Sequence, residues 1–162
     1  MKIISLTAKI SHLADIEDSV KGSTITIGED VMIDSFVKIK FAGGLGDIVI
    51  GNNTFINSGC VLYSGNGIKI GSDVLIASNC TIAAVNHQYI DGTKLISDQG
   101  FMDSKGGVTI EDDVWIGAGV VLLDGAHIKK GCVIGAGCII NKQLEEYGVY
   151  VGNPLKCIRY RK

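Results

Sequence analysis

The chain has 162 residues, a formal net charge of −2 and an apolar fraction of 46%, which predicts one folded domain. Its pI of about 5.9 leaves no overall basic field for nucleic acid, and no run approaches the roughly 18 apolar residues of a membrane span. The N-terminus, MKIISLTAKISHLADIED, shows no apolar region followed by a small-residue cleavage site, so a cytoplasmic protein is expected.

From Ile4 onward the chain reads in sixes. Hexads begin at Ile4, Ile10 and Ile16, then, after extra residues 22–26, at Ile27, Ile33 and Ile39. Residues 45–49 are extra, and hexads resume at Ile50, Ile56 and Leu62. Ile68 and Lys69 precede those at Ile70, Ile76 and Ile82. Residues 88–109 form the one long insertion, and an unbroken run follows at Ile110, Ile116, Leu122, Ile128, Ile134 and Ile140. A fixed internal period of this kind decides the fold class before any helix or strand is assigned. Six fits neither the 3.6 of an α-helix nor a lone alternating strand. It fits a triangular coil of three short flat faces, stacked on its neighbours at the roughly 4.8 Å spacing of paired strands.

The frame holds eighteen hexads, with Ile first in sixteen and Leu in two, and makes six coils. Every insertion follows a third hexad, so all are expected at one corner of the prism. The 22 Gly against one Pro fit many tight corners, since Gly tolerates positive φ. Fifth positions are compact and apolar. Cys60, Cys80, Cys132 and Cys138 all fall there, which predicts buried free thiols acting as small hydrophobes rather than a disulfide or zinc set. Cys157 lies outside the frame. Gly43, Asn66 and Asn86 break the fifth-position rule at the inserted corner. The repeat is expected to fill 1–147, with 148–162 as a tail that covers the last coil's open strand edge.

Several stretches carry a resemblance: Asn86-His87 at the base of the long loop, VWIGAG at Val114–Gly119, VIGAG at Val133–Gly137, and Gly152-Asn153-Pro154 in the tail. Together with the hexads they resemble the hexapeptide-repeat acyltransferases, nearest the maltose, galactoside and surface-polysaccharide O-acetyltransferases. The resemblance implies an all-β, left-handed parallel β-helix of about six coils. The handedness comes from the resemblance, because crossover statistics favour the other hand. It further implies acetyl-CoA as co-substrate, a carbohydrate acceptor, and a homotrimer with active sites between subunits. No metal is expected.

Residue by residue, the resemblance makes His87 the catalytic base, and acetyl transfer to a hydroxyl needs a base near neutral pH. Ala118, Ala136, Asn141, Lys142 and Arg159 match positions that contact coenzyme A. Ala118 and Ala136 belong to a strip of small or polar residues, with Asn57-Ser58 and Ala77-Ser78, that suits an extended pantetheine arm. Lys142 and Arg159 suit its phosphates, with Lys156 a weaker candidate. Asn57 matches an acceptor-site Asn, and Trp115 is a candidate to flank a sugar ring. The nucleotide end is then expected beyond coil six, the thioester near coils four and five, and the acceptor on the coil-three side. Two departures favour the surface-polysaccharide branch. Ala118 stands where the maltose and galactoside branch commonly has a Ser, so oxyanion donors fall to backbone N–H groups. Hexads also begin at Ile4, with no preceding helical segment.

Three other readings compete. A close variant acetylates the amine of a nucleotide-linked amino sugar. A zinc enzyme of the carbonic-anhydrase kind needs three clustered His, whereas His12, His87 and His127 are far apart in sequence. A non-catalytic β-helix scaffold explains the repeat but neither the long loop with Asn86-His87 nor the basic tail.

Overall fold

Side chains two apart on a strand point the same way. A hexad therefore sends its first residue inward together with the fifth of the preceding hexad. In the computed structural model, which describes residues 1–162, Val114 and Ile116 are both buried, while Trp115 between them is 54% exposed. Val120 with Leu122, and Cys132 with Ile134, repeat the pattern.

The hexads of each coil build three parallel sheets. The first holds Lys2–Ile4, Ile25–Ile27, Ile48–Ile50, Ile68–Ile70, Val108–Ile110, His127–Ile128 and Gln143–Leu144. The second holds Lys9–Ile10, Met32–Ile33, Phe55–Ile56, Leu75–Ile76, Trp115–Ile116, Val133–Ile134 and Gly148–Val151. The third holds Asp15–Ile16, Lys38–Lys40, Val61–Tyr63, Thr81–Ala83, Val121–Leu123 and Ile139–Ile140. The architecture is a left-handed parallel β-helix. Strand register places Ile33, Ile56, Ile76, Ile116 and Ile134 directly over one another, and the other two faces stack alike. Each buried Ile contributes about 1.5–3 kcal/mol, so this column holds the fold. Cys60, Cys80, Cys132 and Cys138 are buried free thiols within it, and Cys157 is exposed.

In the first and second hexads of coils two to six, the fourth position turns the corner in a left-handed backbone conformation. Asn53, Asp73, Asn79 and Asp113 have φ between 54° and 61°, and Gly59, Gly119 and Gly137 lie at 67° to 74°. Gly, Asn and Asp tolerate this region best. Phe36 occupies it too, at φ 63°.

All insertions lie at the third corner, between the third and first sheets. Their last residues, however, are strand rather than loop. Ile25, Ile48, Ile68 and Val108 open first-sheet strands and are buried. They take the inward place that Ala126 holds in the uninserted coil, two before the first hexad residue. Gly43, Asn66 and Asn86 are thereby released from the core, which explains why they break the fifth-position rule.

The coil also continues past the repeat. Only Asn141 and Lys142 separate Ile139–Ile140 from Gln143–Leu144, so Leu144 pairs with Ile128 and starts a partial seventh coil. Gly148–Val151 pairs in parallel with Val133–Ile134, so the expected boundary after residue 147 falls between two strands of that coil. Lys156–Tyr160 then returns antiparallel along Gly148–Val151. Tyr150 is buried, and Leu155 packs partly on the core. At the other end the first coil is open, with Ile3, Ile4 and Leu13 exposed. No helix is long and apolar enough to cross a membrane.

Candidate functional site

The third corner is a stack of glycine-rich loops. A Cβ on Gly65 would strike the Ala84 carbonyl, and one on Gly107 the Gly67 carbonyl. The close approach of these backbones forms the base from which the 84–107 segment departs. Its two legs pair in antiparallel fashion. Met102 N–H donates to the Asn86 carbonyl at 2.8 Å, and Gln88 N–H to that of Gly100 at 3.0 Å. His87 lies between them, bridged to Phe101. The imidazole and phenyl centroids are 4.8 Å apart, with planes inclined 39°. His87 is exposed on the edge of the prism.

The tip of the loop is ordered by its own side chains. Gln99 bonds both the N–H and the carbonyl of Asp91, at 3.1 and 3.0 Å, and Asp91 accepts from Thr93. Yet Tyr89, Ile90, Leu95 and Ile96 are between 57% and 74% exposed.

Asp124 anchors the returning leg. The hexad frame aligns it with Ser64 and Ala84, both buried, and Asp124 is itself only 2% exposed. Its Oδ1 accepts from Gly107 N–H at 2.8 Å, and its Oδ2 from Lys105 N–H at 2.9 Å and Asn66 Nδ2 at 3.1 Å. Sequence reasoning missed Asp124, Phe101 and Lys105. The signal for Asp124 was present, as a carboxylate at an inward-facing position.

Asn141 and Lys142 lie at this same third corner, one coil beyond Asp124. A Cβ on Gly125 would meet the Lys105 side chain at 3.0 Å and the Asn141 carbonyl at 3.7 Å, so the loop's return leg runs beside them. Lys142 and Arg159 form no salt bridge, unlike Arg161, which Asp113 holds at 3.1 Å.

The remaining sequence-predicted residues lie elsewhere. Ala118 and Ala136 are at the second corner, between the second and third sheets, and are exposed. Their backbone N–H groups have no partner within the chain. Asn57 is at that corner in coil three, its Nδ2 donating to the Ile76 carbonyl at 2.8 Å. It rims a groove of about 370 Å³ whose outward-facing residues are Lys9, Met32 and Phe55, beside Asp34. Trp115 projects from the second sheet, and Arg159 sits on the antiparallel strand at that sheet's end. Within one chain, the third sheet separates His87, Asn141 and Lys142 from Ala118 and Ala136. That is roughly 10 Å for strands of three residues.

His127 is the sixth residue of its hexad, as His87 is, but it does not lie on the loop. It lies on the first sheet beside Thr109, with Nε2 2.7 Å from Glu111 Oε1. Burial pushes the Glu111 carboxyl up, but the Lys130 N–H and His127 outweigh it, and the group lies below its ordinary value.

Two family models match the chain. "Bacterial transferase hexapeptide (six repeats)" matches residues 107–142, and "Hexapeptide repeat of succinyl-transferase" matches 47–84. Galactoside O-acetyltransferase of Escherichia coli is 31% identical over 152 residues, covering 92% of this chain and 71% of its own length. WbbJ of Escherichia coli, whose name assigns it to lipopolysaccharide biosynthesis as an O-acetyl transferase, is 30% identical over 144 residues, 85% of this chain and 69% of its own. The chain spans only 38% of a mycobacterial and 56% of a yeast protein that are also named as acetyltransferases. Among solved structures, a mutant of AntD, an N-acyltransferase from Bacillus cereus in complex with dTDP-4-amino-4,6-dideoxyglucose and coenzyme A, superposes with a TM-score of 0.83. It is 28% identical, with 99% of this chain and 84% of that one covered.

Proposed function

The chain belongs to the hexapeptide-repeat transferases, and from that premise we propose that it is an acetyl-CoA-dependent O-acetyltransferase acting on a sugar hydroxyl in surface-polysaccharide biosynthesis. The observation that carries the reading is His87, exposed at the root of a paired loop and braced by Phe101. Its imidazole takes the proton from the acceptor hydroxyl. The oxygen attacks the thioester carbonyl and forms a C–O bond. The tetrahedral intermediate collapses, the C–S bond breaks, and the imidazolium returns its proton to the departing thiolate. The unpaired N–H groups of Ala118 and Ala136 suit the pantetheine arm or the developing oxyanion. Lys142 and Arg159, free of carboxylate partners, suit the phosphates. Asn57 and Trp115 serve the acceptor. The test is a panel of sugars and nucleotide sugars with acetyl-CoA, followed by thiol release. No turnover with any acceptor, and no binding of coenzyme A, would sink the reading and favour a scaffold.

The site is shared between subunits of a homotrimer. In one chain the third sheet stands between His87 and the second-corner residues, and the exposed apolar residues of the loop need a surface to cover. Chains carrying His87→Ala and chains carrying Ala118→Trp should each be inactive alone and should regain activity when assembled together. Failure of that complementation in mixed oligomers would place the whole site within one chain.

A second reading has one specific observation behind it. The AntD complex holds an amino sugar linked to a nucleotide. Acetylation of an amine here would give an alkali-stable amide in place of a labile ester.

A further inference from the structure

Asp124 is a carboxylate buried without a cation. It is 2% exposed, and its oxygens face three N–H donors, from Gly107, Lys105 and Asn66. The equivalent places in coils three and four are filled by Ser64 and Ala84, so the core does not require an acid there. Burying a charge is unfavourable unless hydrogen bonds compensate it, and here all three donors hold one object. Two are backbone groups of the leg returning from the long loop, and the third reaches across from the coil-three corner.

From that anchor the path to His87 is short. Asp103 and Ser104 alone separate Lys105 from Met102, whose N–H holds the Asn86 carbonyl. Phe101, beside Met102, faces the His87 ring. Gly125 N–H donates back to the Gly107 carbonyl at 2.7 Å, so the return leg is fixed from both sides. The outgoing leg is tied at its root, where the Ala84 carbonyl accepts from Asn66 N–H at 2.9 Å, and beyond that by Met102 on the return leg. Past Ala84, the contacts on either side of His87 come from the leg that Asp124 holds, through Met102, Phe101 and Gly100.

We propose that Asp124 is a positioning residue for His87, acting through the 100–107 leg, an inference that rests on His87 being the base. In Asp124→Asn one oxygen becomes an NH₂ group and meets a donor instead of an acceptor. The leg then shifts, and displacement of a reacting group by about 1 Å can reduce rate by about 10²-fold.

The experiment is a double-mutant cycle on the full chain, with kcat, acetyl-CoA binding and tryptic cleavage within the loop as readouts. Asp124→Asn should lower kcat by about 10- to 100-fold, leave the acetyl-CoA dissociation constant within about twofold, and speed cleavage at Lys94. In a His87→Ala background the same substitution should remove almost no further activity, because the group it positions is absent. Should Asp124→Asn not fold, Asn66→Ala removes one of the three donors and should show a smaller loss with the same dependence on His87. An equal loss in both backgrounds, or no loss in the wild-type background, overturns the assignment. If His87→Ala itself leaves turnover intact, the functional reading fails instead, and the two failures are distinguishable.

Discussion

His87 and Phe101 face one another across the root of the 84–107 segment, with ring centroids 4.8 Å apart and planes inclined at 39°. The backbones on either side are tied by the Asn86–Met102 and Gln88–Gly100 hydrogen bonds. The phenyl ring therefore limits the rotamers open to an imidazole that is otherwise exposed. Phe101→Ala should keep the fold and acetyl-CoA affinity and lower turnover by about 3- to 30-fold, the range expected when a base is loosened rather than removed. Unchanged kcat would mean that the ring contact has no bearing on chemistry.

Lys142 and Arg159 carry charges that no carboxylate neutralises. Lys142→Ala and Arg159→Ala should each weaken acetyl-CoA binding about 3- to 10-fold at low salt, with a smaller effect at high salt, where screening already weakens exposed contacts. Turnover at saturating acetyl-CoA should change little. Titration calorimetry at two ionic strengths measures this. An unchanged dissociation constant for both variants would show that the cofactor lies elsewhere or runs in the opposite direction.

The hexads made the core legible. Ile116 and Ile134 stack as the spacing predicts, and Cys60, Cys80, Cys132 and Cys138 fill inward positions. Three features escaped the frame for physical reasons. The extra residues before Ile27, Ile50 and Ile110 are partly strand, because inward alternation continues two residues upstream of each hexad. His127 shared a hexad position with His87, but an insertion follows Ile82 and not Leu122, so one leaves on a loop and the other stays in a sheet. The path of the long loop could not be read, since it has no period, and its anchor Asp124 stood out only as an acid at an inward place. The candidate site was legible as separate matches, but not as two groups on opposite edges of the third sheet.

Phe36 adopts φ 63° at a corner where coils three to six use Gly or Asn, and its side chain is 61% exposed. Holding a bulky residue in the left-handed region costs about 1–3 kcal/mol, and exposure gives little back. Phe36→Asn should therefore raise stability by about 1 kcal/mol, or roughly 2–4 °C in Tm for a chain of this size. A lower Tm would mean that the ring is buried against another surface, such as a second subunit.

Glu111 sets a pH dependence of stability. Its carboxyl lies below its ordinary value because the hydrogen bonds from Lys130 N–H and His127 outweigh burial. A depressed carboxyl stabilises the fold above its unfolded value, and that contribution disappears as pH falls through the folded value. The pair is partly exposed, so the effect should stay under about 1 kcal/mol. Wild type should be more stable than Glu111→Gln at pH 7, and the two should converge as pH falls through the carboxylate range. Parallel Tm curves between pH 7 and pH 3 would contradict the linkage.

His87 and His127 offer the sharpest comparison, because both are imidazoles at the same hexad position. His87 stands on the loop with an aromatic neighbour and no carboxylate, while His127 is engaged by Glu111 at 2.7 Å on the first sheet. A general base must reach the acceptor proton, and positioned proton transfer is worth about 10²–10⁴ in rate. His87→Ala should thus lose at least about 10²-fold in turnover while still binding acetyl-CoA and keeping its oligomeric state. His127→Ala should lose little turnover and show its effect in stability, since its partner carboxylate is left without the imidazole. Steady-state kinetics of both variants with the true acceptor, beside calorimetric binding, decide the matter. Near wild-type turnover in His87→Ala would remove the base from the mechanism and leave the fold untouched.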